Sequence, residues 1–473
     1  MQEKRPLVEA LEKFHSNKPI SFHVPGHKNG LLSNLPSGMK KAMEYDFTEL
    51  HGLDDYHHPE EAIKEAEGLL AQVYGTQKSF FLVNGSTVGN LAMIYATCHF
   101  GEQILVQRNA HKSIFHAIEL VGVEPIFISP EWDTRTKTAT FVSLALIQEA
   151  LEKYPLVKVV VLTYPNYYGV VSSELEEVIA LCHSKNIPVL VDEAHGAHFR
   201  AHKGFPKSAL AYGADVVVQS AHKTLPALTM GSFLHIQSTL IDVNKVNKYL
   251  RMLQSSSPSY LLLASLDDAR SYVERYSEMD YKQFTYKRKL FIEALEMIGL
   301  LEVIQVDDPL KLLIRVGNYS GFQVQKALEA QNIFVELADT YQVLLILPLL
   351  KAEQEYGFAN VRKRLKSAVD ELRELTPNSP EDICPSGRNS LSTLEMSIDV
   401  LNGKQGEWIP YVRSIGRIAK GMIIPYPPGI PLIVVGEKIT IAILTELEEW
   451  IEKGALFQGE HRLEESLIYV VEE

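Results

Sequence analysis

Four segments of this sequence carry residue types able to do chemistry, and each sits directly behind an apolar run. The first is Asn84-Gly85-Ser86-Thr87-Val88-Gly89-Asn90, behind SFFLV. Small residues and two hydroxyls between a strand and a helix start present backbone N–H groups to an anion such as a phosphate, with Ser86 and Thr87 as added donors. The plainer alternative is a helix cap with glycines for a tight turn. The second is Asp192-Glu193-Ala194-His195-Gly196, behind VLV. Asp192 at a strand end suits a ligand cation, because a buried carboxylate without a partner is costly. Ala194 and Gly196 leave room for a flat ring, and the alternative is that Asp192 caps the following turn. The third is Ser220-Ala221-His222-Lys223, behind VVVQ. Lysine is seldom buried without a partner, and desolvation or a neighbouring cation makes its amine nucleophilic. Ser220 and His222 add phosphate donors. The fourth, Arg108-Asn109-Ala110-His111-Lys112-Ser113, follows QILVQ. Its histidine either stacks on an aromatic ligand or caps a helix.

Taken together, the four segments place a phosphate cradle, a ring-stacking histidine, a strand-end aspartate and a strand-end lysine in that chain order. Pyridoxal phosphate asks for this set: a lysine imine, a carboxylate on the pyridinium nitrogen, phosphate donors and a stacking partner. The run Asp-Glu-Ala-His also mimics a helicase ATPase box. A helicase needs a Walker A loop and a basic strand-binding track, and neither is present. FHVPGHK, GLDDYHHPE and YPPGIPLIVVGE carry polar residues in rigid Pro/Gly contexts, which ordinary loops also do.

These residues need a scaffold that lines up strand ends. From about residue 60, apolar runs alternate with amphipathic helical patterns: SFFLV, QILVQ, EPIFIS, VKVVVLTY, IPVLVDEA, ADVVVQS and GSFLHIQ. Consecutive Val and Ile, rather than alternation, mark strands buried on both faces. The pattern predicts an α/β fold with a mostly parallel sheet, whose ligands lie beyond the carboxyl ends of the strands. After a helical stretch over about 240–298, LEVIQV, KLLIRV, IFVELA and YQVLLILPLL read as strands and GFQVQKALEAQ as a helix, a smaller α+β domain. The expected domains are an arm over 1–58 that contributes to the active site or a dimer interface, a cofactor-binding large domain over 59–298, and a C-terminal portion over 299–473 with a Pro/Ser-rich linker near 376–390.

Composition narrows the class further. The chain has 473 residues, 46% hydrophobic and 22% charged, which is globular and not disordered or fibrous. A formal charge of −13 argues against a general nucleic-acid binder and against anionic membrane surfaces. Cys98, Cys182 and Cys384 are too few and too dispersed for a disulfide framework or a zinc site, and no metal is expected. Reduced thiols and the absence of an apolar leader point to the cytoplasm. The prolines in GMIIPYPPGIPLIVVG argue against a spanning helix.

FHVPGHK, NGSTVGN, RNAHKS, VDEAHG, SAHK and YPPGIPL together make the sequence resemble the Orn/Lys/Arg decarboxylase family, the major group of fold type I pyridoxal-phosphate enzymes. The motifs span residues 22–432. The chain begins close to the GHK segment, so it looks like the short bacterial form, near the arginine decarboxylases of polyamine biosynthesis. The resemblance implies that Lys223 carries the cofactor as an imine, Asp192 pairs with the pyridinium nitrogen and His111 stacks on the ring. Ser86, Thr87, Ser220 and His222 would bind the phosphate, with Gly85 and Ala194 lining the site and His195 beside the ring. It also implies a homodimer or dimer-based oligomer and a basic amino acid as substrate, arginine first, with lysine or ornithine possible. CO2 would leave and a proton return to Cα from Lys223 or His222. Asp54, Asp55, Glu336, Asp339 and Glu437 are candidates for the substrate's distal cation, which the sequence does not rank. After SAHK the chain reads Thr224-Leu225-Pro226-Ala227, a departure that shapes the pocket wall. The alternatives are another fold type I enzyme, such as an aminotransferase or lyase, or a catalytically idle pyridoxal-phosphate-binding regulator.

Overall fold

The computed structural model describes residues 4–378, 390–426 and 429–472. Most of the linker expected over 376–390, with Cys384, and Pro427 and Pro428 of YPPGIPL lie outside the described residues. The chain divides into two compact units, one running to Thr97 and resuming over Pro188–Ser277, the other formed by Cys98–Ile187 and Glu278–Glu473.

The first unit holds strands Lys78–Leu82, Val189–Asp192, Val216–Gln219 and Ser232–Ile236. In space their order is 78–82, 232–236, 216–219, 189–192. Val216–Gln219 runs parallel to Val189–Asp192, with Val218 opposite Asp192. Ser232–Ile236 is antiparallel to both of its neighbours. Three strands therefore run in one direction, as the Val/Ile-rich runs predict, and one runs against them. Their carboxyl ends, together with the start of Ser232–Ile236, share one edge of the sheet. That edge presents Ser86, Asp192, Ser220 and Ser232.

Helix Gly85–Thr97 packs on these strands through a continuous buried face. Gly89 is what lets it approach. A Cβ there would lie 2.8 Å from side-chain atoms of both Leu82 and Val218, closer than carbon atoms tolerate. Helices Pro6–Ser16, Ala62–Tyr74 and Tyr260–Glu274 also belong to the unit. The third carries a buried ion pair and the second ends on a cap. Arg270 and Asp267, both fully buried, meet at 2.6 Å, and Ala62–Tyr74 ends at Gly75, whose φ of +72° few side chains adopt.

In the second unit the parallel strands Gln103–Gln107, Glu124–Ile128 and Val157–Thr163 are ordered 157–163, 103–107, 124–128, with Leu391–Thr393 added antiparallel at the edge. Within Val157–Thr163 only Lys158 is exposed, as a run buried on both faces requires. A four-stranded antiparallel sheet follows, in the order Leu301–Gln305, Lys311–Val316, Val343–Ile346, Leu337–Ala338, with helices Gly321–Ala330 and Phe358–Leu372. The strand expected from IFVELA is only Leu337–Ala338, and Phe334 is exposed. The last element group packs Ile443, Leu444 and Leu447 of helix Ile441–Lys453 against Ile468 and Val470. Among the described residues, no helix is long and apolar enough to cross a membrane.

Candidate active site

The strand-end edge of the first unit gathers most of the residues singled out from the sequence. Ser86 Oγ lies 2.6 Å from Ser220 Oγ and donates to Ser232 Oγ at 3.2 Å. All three serines are buried. Ser86 is in the first turn of Gly85–Thr97, where backbone N–H groups have no helical acceptor. Thr87 is exposed in the same turn. Gly85 holds a φ of +76° and donates its N–H to Met230 O at 2.9 Å, so the turn into the helix needs a residue without a side chain.

Asp192 is 3% exposed. Its Oδ2 accepts from Asn90 Nδ2 at 2.8 Å and its Oδ1 from the Ala194 N–H at 3.1 Å. Asp192 thus braces the turn with one oxygen, as the capping reading expects, and is buried at the strand end. Burial pushes its carboxyl above the ordinary range, while the charge of Lys223 and the Asn90 bond pull it back. An aspartate in this position is stabilised by a cationic ligand. Lys223 stands on the short helix Ala221–Thr224, half-buried, with Nζ 3.0 Å from His195 Nε2. The Nδ1 N–H of His222 donates to Gly231 O at 3.0 Å.

Glu193, one residue on, is fully buried and points away from Asp192. It accepts from Ser208 Oγ at 3.0 Å, Ala209 N at 2.6 Å and Gln219 Nε2 at 2.8 Å. Gly196 is required beside it, since a Cβ would fall 2.6 Å from Glu193 Cγ. Gln219 Oε1 continues to His235 Nε2 at 3.2 Å, and His235 Nδ1 to Ser79 Oγ at 2.7 Å. This polar chain is the buried underside of the site. Burial pushes Glu193 up to about 8 and His235 down to about 3. A folded-state value above the unfolded one means that the folded chain keeps a proton the unfolded chain has shed. Stability contributed by this proton is therefore lost as pH rises from about 4.5 to about 8. Glu193→Gln is expected to flatten that fall. The check is the urea midpoint of both proteins at about pH 5 and about pH 8.5, and equal slopes would contradict the assignment.

His111 belongs to the second unit. It caps helix Lys112–Val121, accepting from Ser113 N at 3.3 Å, with its Nδ1 2.8 Å from Ser113 Oγ. A Cβ on Gly429 would lie 3.3 Å from the His111 ring. The second unit also holds a cleft of about 890 Å³ whose lining includes Trp132, Tyr168, Asp339 and Trp450.

The carboxylates considered for a distal cation are mostly engaged elsewhere. Asp54 caps Ala62–Tyr74 and its loop, accepting from the backbone N–H groups of Asp55, Glu60, Glu61 and Ile63 at 2.9–3.0 Å. Asp55 accepts from His57 N and His58 N. Asp339 takes the Tyr168 hydroxyl at 2.7 Å and two loop N–H groups. Glu437 is 2.9 Å from the buried Arg108, whose guanidinium also donates to Pro431 O and Leu432 O. Glu336 is exposed. Two residues of the site had no role assigned from the sequence: Asn90, inside the first segment, and Ser232, outside all four. Asn90 and Ser232 reach it only because the helix and an antiparallel strand bring them there, although the i, i+4 spacing of Ser86 and Asn90 was a usable signal.

The donors and charges fit pyridoxal phosphate. First-turn N–H groups and serine hydroxyls suit its phosphate, a buried aspartate suits its ring nitrogen, and a strand-end lysine suits its aldehyde. An α/β sheet bearing this set at its strand ends defines a pyridoxal-phosphate enzyme of fold type I. The chain belongs to the Orn/Lys/Arg decarboxylase family: the family's major domain matches residues 5–293 and its C-terminal domain residues 393–459. It is similar to YaaO of Bacillus subtilis, 45% identical over 99% of both chains. It is 33% identical to the arginine decarboxylase of Halalkalibacterium halodurans, over 97% of this chain and 96% of that one. The arginine decarboxylase of Bacillus subtilis is likewise 33% identical, over 100% and 99%. Among solved structures, the constitutive lysine decarboxylase of Escherichia coli superposes with a TM-score of 0.78 at 18% identity, covering 99% of this chain and 82% of that one. The Francisella novicida lysine decarboxylase LdcF gives 0.78 at 21%, covering 100% and 82%. The protein is a pyridoxal-phosphate-dependent decarboxylase of basic amino acids, as the sequence motifs led us to expect.

Proposed function

We propose that the protein converts arginine to its amine and CO2. The support for arginine is the full-length similarity to two arginine decarboxylases at 33% identity. The observation that carries the site is the buried Asp192 at a strand end, in the same unit as Lys223 and the serine cluster. Bound pyridoxal phosphate supplies the electron sink that takes up the pair left when the carboxylate departs as CO2. The chain's own residues do the rest. Lys223 would hold the cofactor's aldehyde through Nζ. Asp192 keeps a proton on the ring nitrogen. His195, 3.0 Å from Nζ, orients the lysine amine. Ser86, Thr87, Ser220 and His222 bind the phosphate, Gly85 and Ala194 keep the site open, and His111 covers the ring face. Lys223 or His222 returns a proton to Cα, so that one carboxylate is exchanged for one hydrogen.

A guanidinium rewards a planar, bidentate carboxylate, whereas an ammonium needs only a point contact. The residue range 59–298 forms the cofactor-binding domain in this reading, and 299–473 the smaller C-terminal portion. The arm over 1–58 helps to form a homodimer in the cytoplasm. The arm's apolar exposure supports this, with Ile20 87% and Phe22 95% accessible. Such residues seek a covering surface. The placement in polyamine biosynthesis follows from the amine product. One experiment tests both parts: amine and CO2 release from arginine, lysine, ornithine and a non-basic amino acid, run on protein whose mass is set by sedimentation. Arginine is expected to give the highest kcat/KM on a dimer or larger assembly. Faster turnover of lysine or ornithine would overturn the substrate, and full activity in a monomer the assembly.

A further inference from the structure

Asn90 lies in the interior of helix Gly85–Thr97, where asparagine is a poor helix former, and it is only 1% exposed. Burying an amide costs free energy unless it is hydrogen-bonded. Its Nδ2 donates to Asp192 Oδ2 at 2.8 Å, a bond between residues 102 apart in sequence. The same helix face carries Ser86 one turn earlier, bonded to Ser220 and Ser232. Gly89, between them, presses the helix onto Val218, and Val218 is the register partner of Asp192. The backbone is thus arranged so that one helix face holds the ends of three strands, and Asn90 is the contact assigned to the aspartate.

We propose that Asn90 is a positioning residue for the cofactor: its amide fixes one oxygen of Asp192 as an acceptor, so that the carboxylate stays aimed at the ring nitrogen. The inference rests on the reading that Asp192 pairs with that nitrogen. Ala194 N braces the other oxygen, and the two donors leave the carboxylate a single orientation. Without Asn90 the burial that already disfavours the charged form acts with less opposition.

The test compares Asn90→Leu, of similar branching but larger, and Asn90→Ala with Asp192→Asn and the wild type, all loaded with pyridoxal phosphate. Three quantities are read: kcat and KM separately, the pH midpoint of the cofactor's visible band, and the melting temperature. Both Asn90 variants are expected to lose about 10- to 100-fold in kcat, the effect of removing a hydrogen bond to a charged group, with KM nearly unchanged. The band midpoint is expected to move to higher pH, in the direction of Asp192→Asn. A less firmly held positive charge at the ring nitrogen opposes protonation of the Lys223 nitrogen less. Wild-type kcat and midpoint in folded, loaded variants would overturn the proposal. So would a lowered melting temperature or weakened cofactor retention with an unmoved midpoint in the loaded fraction, since that is a packing role alone. If Asp192→Asn itself left the midpoint unmoved while Lys223 still carried the cofactor, the reading of Asp192 would fall instead.

Discussion

Lys223→Ala, supplied with pyridoxal phosphate, is expected to lose decarboxylation by on the order of 10⁴-fold or more, because one side chain both anchors the cofactor and exchanges its proton. The visible absorbance of the bound cofactor should vanish with it. Borohydride reduction followed by peptide mass spectrometry should find the cofactor on residue 223 of the wild type and nowhere on the variant. The substitution is well suited to the purpose. Lys223 is half-buried on a helix of four residues, with its Nζ 3.0 Å from His195 Nε2. Loss of fold is therefore not expected, and circular dichroism should match the wild type. Full turnover in the variant would remove the chemistry proposed for this site.

Asp192→Asn is expected to lower kcat by about 10²- to 10³-fold, the usual cost of removing one preorganised charge from the reacting centre. Asparagine keeps the shape and can still accept from the Ala194 N–H that braces Asp192 Oδ1. It cannot hold a proton on a ring nitrogen by ion pairing. Cofactor should remain bound, since Lys223 and the serine cluster are untouched, and absorbance titration with pyridoxal phosphate checks this. A variant that works at wild-type speed would show that the electron sink does not depend on residue 192.

The strand-end placement of the candidate residues and the class of fold were legible in one dimension for a physical reason. Strands buried on both faces must be written as consecutive Val and Ile, as in VVVLT and VVVQ. A parallel sheet then delivers whatever follows such runs to its carboxyl edge. Lys223, Asp192, Ser86 and Ser220 were found by that rule, and so was the turn at Gly85. The arrangement of the edge was not legible. Ser232–Ile236 inserts antiparallel between Lys78–Leu82 and Val216–Gln219. That insertion alone brings Ser232 within 3.2 Å of Ser86, across 146 positions of sequence. Asn90 reaches Asp192 only because Gly89 lets its helix touch Val218. The same holds for the carboxylates that looked available in the sequence. Asp54 is spent on capping a helix and Glu437 on the buried Arg108. Residue types and local spacing determine which groups can do chemistry and which runs become strands. Which of those groups meet is decided by strand order, strand direction and helix-to-sheet distance, because hydrogen bonds act over about 3 Å and the chain supplies that proximity only once it is folded.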